Sequence, residues 1–271
     1  MKIIFFGSTT DSLLILEKLT GLPAGEAGIM AVVTQPPKPV GRKKIITPTP
    51  VETWANQRRV PVFTQPPRES FDLIISASYG EKIPIELIRS ATYGGLNVHP
   101  SLLPRWRGGD PVPWAILTGD RNIGVSIVTL TEKFDQGLIL AQKKIHVTNT
   151  DMTDPLRAKL FTMGADLLIK TLPGIISGKI KGTPQKTEGA PYARRLTRDD
   201  GFEPWETLFD PKESERINRK YRAFHPWPGL WTIFKEKRVK ILNFDTAPTI
   251  VQLEGKKPVS WQQFRSAHLP S

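Results

Sequence analysis

The chain has 271 residues, with 38 Lys and Arg against 26 Asp and Glu for a formal charge of +12, and no cysteine. Such a length holds one large domain or two unequal ones, and the positive balance selects for polyanionic partners such as nucleic acid or phosphorylated substrates. The missing cysteines exclude disulfides, thiolate catalysis and Cys-type zinc sites. No apolar run is long enough to span a bilayer, and the histidines at 99, 146, 225 and 268 form no close-spaced set, so neither a metal nor a membrane partner is expected.

Taken in order, residues 2–6 (Lys-Ile-Ile-Phe-Phe) read as a buried strand without a leader pattern, which predicts a cytoplasmic protein. A turn at 7–11 and an apolar stripe through Leu13, Leu16 and Leu19 predict a helix. A single turn glycine, Gly7, falls short of a dinucleotide fingerprint. A second strand is expected over 29–33, followed by an exposed, extended Pro-rich basic loop over 35–44, a helix near 50–58 and a strand over 61–64. Residues 72–80 form the most strand-like run, ending at Tyr79 and Gly80. A helix at 84–90 then leads to a strand at 96–99.

Beyond Pro104 a short helix is predicted through Trp114 and Leu117, and strands over 124–130 and 138–142 flank a polar loop carrying Asp135. A helix follows over 155–172. From 182 to 200 the composition turns to Gly, Pro, Thr, Lys and Arg, the signature of a linker rather than an element. The remainder, 206–271, has 12 Lys and Arg against 7 Asp and Glu, with a helix expected at 212–222 and short strands at 231–234 and 239–244. Strands alternating with helices over 1–120 predict an α/β, Rossmann-like domain with a mostly parallel sheet, whose ligands bind at the carboxyl ends of the strands. The expected domains are 1–181, a linker over 182–205, and a small basic β-rich domain over 206–271.

The chemistry centres on Asn97-Val98-His99-Pro100-Ser101-Leu102-Leu103-Pro104, read together with Asp135. An amide donor, an imidazole and a carboxylate at strand ends can stabilise a developing oxyanion and move a proton without metal, thiol or activated serine. Acyl transfer to an amine needs such a set.

With Arg105-Trp106-Arg107-Gly108, Gly124-Val125-Ser126-Ile127 and Asp135-Gln136-Gly137, this stretch resembles the formyltransferase family that uses 10-formyltetrahydrofolate. Within it the chain looks most like the branch whose acceptor is the α-amino group of methionyl initiator tRNA. That closer likeness rests on Lys38-Pro39-Val40-Gly41-Arg42, on Asp200-Gly201 with Trp205, and on 222–229 and 251–264. The resemblance implies catalytic roles for Asn97, His99 and Asp135. It implies folate contacts at Tyr79, Gly80, Ser101, Leu102, Leu103, Pro104, Glu132 and Gly137, and contacts of Arg42, Lys43 and Lys44 with the tRNA acceptor end. It further implies 10-formyltetrahydrofolate as formyl donor, tRNA and a folate as partners, and a monomeric enzyme of translation initiation. Its C-terminal OB-like barrel is shortened here, since few residues separate 239–242 from 251–264. A nucleotide-linked amino sugar as acceptor, or an RNA-binding protein without catalysis, are the competing readings.

Overall fold

The structure is a computed structural model that describes residues 1–21, 28–41, 43–67, 69–186 and 188–269. The elements run β1 (Lys2–Phe6), α1 (Thr10–Thr20), β2 (Gly28–Val33), β3 (Lys38–Val40), β4 (Ile45–Thr47), α2 (Pro50–Gln57), β5 (Val62–Phe63), β6 (Leu73–Ser76), α3 (Ile85–Ser90), β7 (Gly95–His99), β8 (Arg107–Gly108), α4 (Pro111–Leu117), β9 (Asn122–Thr129), β10 (Ile139–His146) and α5 (Thr153–Ile176). They continue with β11 (Tyr192–Ala193), α6 (Trp205–Leu208), α7 (Ser214–Phe224), β12 (Leu230–Phe234), β13 (Lys237–Phe244), β14 (Pro248–Leu253), β15 (Val259–Ser260) and α8 (Trp261–His268). Two compact units result. The first comprises 1–109, 123–145 and 157–193, and the second 110–122, 146–156 and 194–271.

The first unit is built on a seven-stranded sheet in the order β10-β9-β7-β6-β1-β2-β5. β1 pairs parallel with β2 and β6, β2 with β5, and β6 with β7, while β9 runs antiparallel to β7. Parallel strands covered on both faces need continuous apolar runs, and Ile3–Phe6 and Leu73–Ile75 supply them, each residue at most 1% exposed. Burying each such side chain contributes about 1.5–3 kcal/mol relative to leaving it in water. From β1 the chain steps outward to β2 and β5, then returns to the other side as β6 and β7. The strand order therefore reverses beside β1, and at the carboxyl ends of the strands the apolar run gives way to Gly7 after β1, Thr34 after β2 and, on β7, His99 itself, all three buried.

The basic stretch at 35–44 is not the extended loop its prolines suggest. Lys38–Val40 pair antiparallel with Ile45–Thr47, register Lys38↔Thr47, Pro39↔Ile46 and Val40↔Ile45, and all six residues are exposed. A two-stranded ribbon tolerates Pro39 because an edge position can do without an N–H donor. Other boundaries moved outward: β10 reaches His146, and α5 runs from Thr153 to Ile176 with Pro173 inside it. The stretch 182–200, expected to carry no element, contains β11, which pairs parallel with β8.

The second unit holds a four-stranded antiparallel sheet in the order β12-β13-β14-β15, the small β-rich region foreseen from the sequence. Its core gathers Leu208, Ile217, Tyr221, Leu230, Val239, Ile241, Val251 and Phe264. Glu203, 5% exposed, is held by Arg216 and by Lys220 Nζ at 2.6 Å. Burial pushes the Glu203 carboxyl up, and the hydrogen bonds from Arg216 and Lys220 more than reverse that, leaving it below its ordinary value.

Candidate active site

Asn97 and His99 are two residues apart on β7, so they share one face of the strand. The loop between β9 and β10 brings Asp135 to them. The Asn97 amide nitrogen donates to Asp135 Oδ1 at 3.2 Å, and His99 Nδ1 stands 3.5 Å from the same oxygen. The backbone N–H of Gly108 donates to Asp135 Oδ2 at 2.9 Å, so both carboxylate oxygens are engaged. The side chains of His99 and Asp135 are 5% and 8% exposed. In so dry a setting each of these polar contacts counts for more than it would in water.

The far side of the His99 ring is also occupied, with Nε2 lying 2.9 Å from the carbonyl oxygen of Trp106. A carbonyl only accepts, so Nε2 carries the hydrogen and donates. For His99 to serve as an oxyanion donor, as the sequence suggested, a ligand must take the place of the Trp106 carbonyl. Asn97 is better placed. Among the described residues its side chain makes the one hydrogen bond to Asp135, and the second amide hydrogen remains for a ligand.

The backbone around these groups is unusual for a reason visible in the packing. Trp106 (φ 61°) and Asp135 (φ 55°) adopt left-handed conformations, and Leu103-Pro104 is a cis peptide. Gly137 closes the Asp135 turn against β9, where an added Cβ would lie 1.8 Å from the Thr129 carbonyl oxygen. No other residue fits there.

The predicted folate-contact residues divide by environment. Ser101 is fully buried and its hydroxyl donates to the Arg105 carbonyl at 2.8 Å, so its side chain serves the turn. Leu103, 3% exposed, has its N–H on Ser126 Oγ at 3.1 Å and its carbonyl on Gln142 Nε2 at 2.9 Å. Leu102 and Pro104 are half-buried. The Tyr79 ring packs edge-on against Phe6, with centroids 5.2 Å apart, and its phenol is pushed up by burial and by Glu81. Its carbonyl accepts Gln35 Nε2 at 2.9 Å, and Gly80 follows at φ 84°. Glu132 is exposed and Gly137 buried, on the same loop as Asp135. That loop also exposes Phe134 and Leu138, apolar surface that suits a flat heteroaromatic ring.

Lys43 and Lys44 are exposed between β3 and β4, whereas Arg42 lies outside the described residues. Among the described residues, no group of three or more His, Asp or Glu is placed to hold a metal ion.

One participant is invisible in the sequence reading. Gln185, from the stretch expected to be a linker, donates from Nε2 to the carbonyls of Asp135 and Gly137, both at 2.8 Å. Its Oε1 accepts from Arg107 Nε at 3.1 Å and Nη2 at 2.7 Å. Close by, Trp106 N–H donates to the Pro191 carbonyl at 3.0 Å and Gly109 N–H to the Ala193 carbonyl at 2.9 Å. No local periodicity marks Gln185, because its partners lie 48 to 78 residues away.

The chain is similar to known proteins in both sequence and fold. A family profile described as "Formyl transferase" matches residues 1–172, and one described as "Formyl transferase, C-terminal domain" matches 209–249. The methionyl-tRNA formyltransferase of Listeria monocytogenes is 39% identical over 251 residues, which cover 89% of this chain and 78% of that protein. Its counterpart in Enterococcus faecalis is 38% identical over 254 residues, covering 89% and 78%. Among solved structures, a 4-N formyltransferase from Francisella tularensis shares the fold with a TM-score of 0.69 at 17% identity, covering 90% of this chain and 98% of that one. A sugar N-formyltransferase from Shewanella does so at 0.68 and 16% identity, with the same coverage.

Proposed function

The chain belongs to the formyl transferase family, and from that premise we propose that it transfers the formyl group of 10-formyltetrahydrofolate to the α-amino group of methionyl-tRNA. The observation that carries the chemistry is the meeting of Asn97, His99 and Asp135 at the carboxyl end of β7, with Asn97 keeping one amide hydrogen for a ligand. The choice of acceptor is supported by 39% identity to a relative of that name over 89% of the chain.

Moving a formyl group onto an amine places negative charge on the formyl oxygen and a surplus proton on the attacking nitrogen. Asn97 donates its second N–H to that oxygen. Asp135, held between Asn97, His99 and Gly108, accepts the amine proton directly or through water. With a hydrogen on each ring nitrogen, His99 faces the carboxylate through Nδ1 and becomes a second donor through Nε2 once it releases the Trp106 carbonyl. The tetrahedral adduct collapses by breaking the bond between the formyl carbon and N10 of the folate, and the proton given up by the amine goes to that nitrogen as tetrahydrofolate leaves, so no covalent enzyme intermediate is required.

The pterin ring of the donor is assigned to the surface formed by Leu102, Pro104 and the 132–137 loop, with backbone contacts near Tyr79 and Gly80. Ser101 and Leu103 shape that surface from beneath, since their polar atoms are already engaged inside the protein. The exposed ribbon β3–β4, with Lys38, Lys43 and Lys44, is assigned to the phosphates of the tRNA acceptor end. The protein is taken to act as a monomer in the cytoplasm, where aminoacylated tRNA is found. Among the described residues no helix is long and apolar enough to cross a membrane.

The test is an incubation with 10-formyltetrahydrofolate and methionyl-tRNA, followed by separation of formylated from free methionyl-tRNA. Formyl-methionyl-tRNA is the expected product. Its absence, with a nucleotide-linked amino sugar formylated in parallel, would move the protein to the other acceptor.

A further inference from the structure

We propose that Gln185 is a positioning residue for the transfer, a clamp that acts through Asp135; the kinetic part of this inference rests on the function proposed above. The geometry is specific. Gln185 Nε2 donates to the carbonyls of Asp135 and Gly137, which flank Gln136, while its Oε1 accepts two N–H groups from Arg107. Every hydrogen of its amide nitrogen and both lone pairs of its oxygen are therefore used, which fixes the orientation of the amide.

The turn it grips needs gripping. Asp135 sits at φ 55°, a conformation that an L residue adopts at a cost, and sparsely populated backbone persists only where its surroundings over-determine it. β9 constrains the turn from one side, through the close approach of Gly137 to Thr129. Gln185 constrains it from the other, through the two carbonyls. Through Arg107, 8% exposed, the same amide is tied to the segment that supplies the Gly108 N–H to Asp135 Oδ2 and the Trp106 carbonyl to His99. One side chain thus links the loop bearing the carboxylate to the loop bearing its hydrogen-bond partners. Carboxylate, amide and imidazole meet within 3.5 Å, so a small shift of the Asp135 turn separates them. Misplacing a reacting group by about 1 Å can cost about 10² in rate.

The test uses the full chain with Gln185→Ala and Gln185→Glu. The second keeps the length and the acceptor for Arg107 but sets carboxylate oxygen against the two carbonyls. The first readout needs no assumption about the acceptor, because hydrogen exchange of the Gly108 amide reports whether Asp135 Oδ2 is still in place. Exchange should quicken by about tenfold or more in both variants. The second readout is kinetic: kcat should fall about 10- to 100-fold with the KM for methionyl-tRNA within about twofold, and Gln185→Ala should cost little more once Asp135→Asn is present. Thermal unfolding of each variant checks that it folds, and Gln185→Glu serves if Gln185→Ala does not. Unchanged Gly108 exchange refutes the clamp whatever the acceptor proves to be, and so does a rate loss that simply adds to that of Asp135→Asn. A wild-type protein that leaves methionyl-tRNA unformylated refutes the proposed function instead, and the exchange measurement still decides the clamp.

Discussion

Replacing Asp135 with Asn removes the charge at the centre of the site while nearly preserving its shape. Asn tolerates the left-handed conformation that Asp135 adopts at φ 55°, so backbone strain is not the variable. The carboxylate accepts from Asn97 through Oδ1 at 3.2 Å and from Gly108 N–H through Oδ2 at 2.9 Å. An amide has one oxygen for these two donors. Whichever way it turns, its NH2 group faces another donor at about the distance of the bond it replaces. Losing one hydrogen bond to a charged group costs about 1.5–3 kcal/mol of folding stability. The catalytic cost is larger, because the acceptor of the amine proton is gone. Loss of a positioned general base lowers turnover about 10²- to 10⁴-fold, equivalent to about 2.7–5.4 kcal/mol in the barrier at about 1.36 kcal/mol per factor of ten. Single-turnover formylation of methionyl-tRNA with enzyme in excess gives the rate, and thermal unfolding of the same sample separates it from any loss of fold. A folded Asp135→Asn protein working within about tenfold of the wild type would refute the role given to the carboxylate.

Gly137→Ala forces a Cβ against the Thr129 carbonyl, 1.8 Å away before relaxation, and should cost about 1–3 kcal/mol; an unchanged Tm would show that the turn has room. Lys43→Ala with Lys44→Ala should weaken tRNA binding and reduce the steepness of log K against log salt by up to about 1.4, at about 0.7 for each single-strand phosphate no longer neutralised; an unaltered slope takes both lysines off the tRNA surface. In the second unit, the hydrogen bond from Arg194 holds the Asp200 carboxyl at about 2, below its ordinary 3.8. A folded value below the unfolded one means that this contribution is complete above about pH 4 and is lost as the pH falls through about 2. Asp200→Asn should flatten the acid limb in that window, and identical acid-unfolding curves for variant and wild type would contradict it.

The parts of the protein legible in its sequence are those written in local patterns. Continuous apolar runs announced β1 and β6 because strands buried on both faces admit little else, and the break at Pro100 placed Asn97 and His99 at the end of β7. Asp135 was legible from the polar loop between two strands. What escaped was written in long-range pairing. The β3–β4 ribbon has every residue exposed and therefore no apolar alternation to betray it. The pairing of β8 with β11 joins two-residue strands more than 80 positions apart, and the Gly, Pro and Lys around Gln185 read as spacer because its partners are all distant. The second donor role given to His99 needed the structure for a different reason. Only the folded chain reveals that the Trp106 carbonyl already occupies Nε2.

The acceptor remains the central claim, and a competition measures it most directly. Wild-type protein, 10-formyltetrahydrofolate, methionyl-tRNA and a nucleotide-linked amino sugar are combined in one reaction, and the ratio of the two formylated products at early times gives the ratio of kcat/KM values. A preference for methionyl-tRNA of about 10³ or more, equivalent to about 4 kcal/mol of differential transition-state binding, is expected. Equal formylation of the two acceptors, or a preference for the amino sugar, would contradict it.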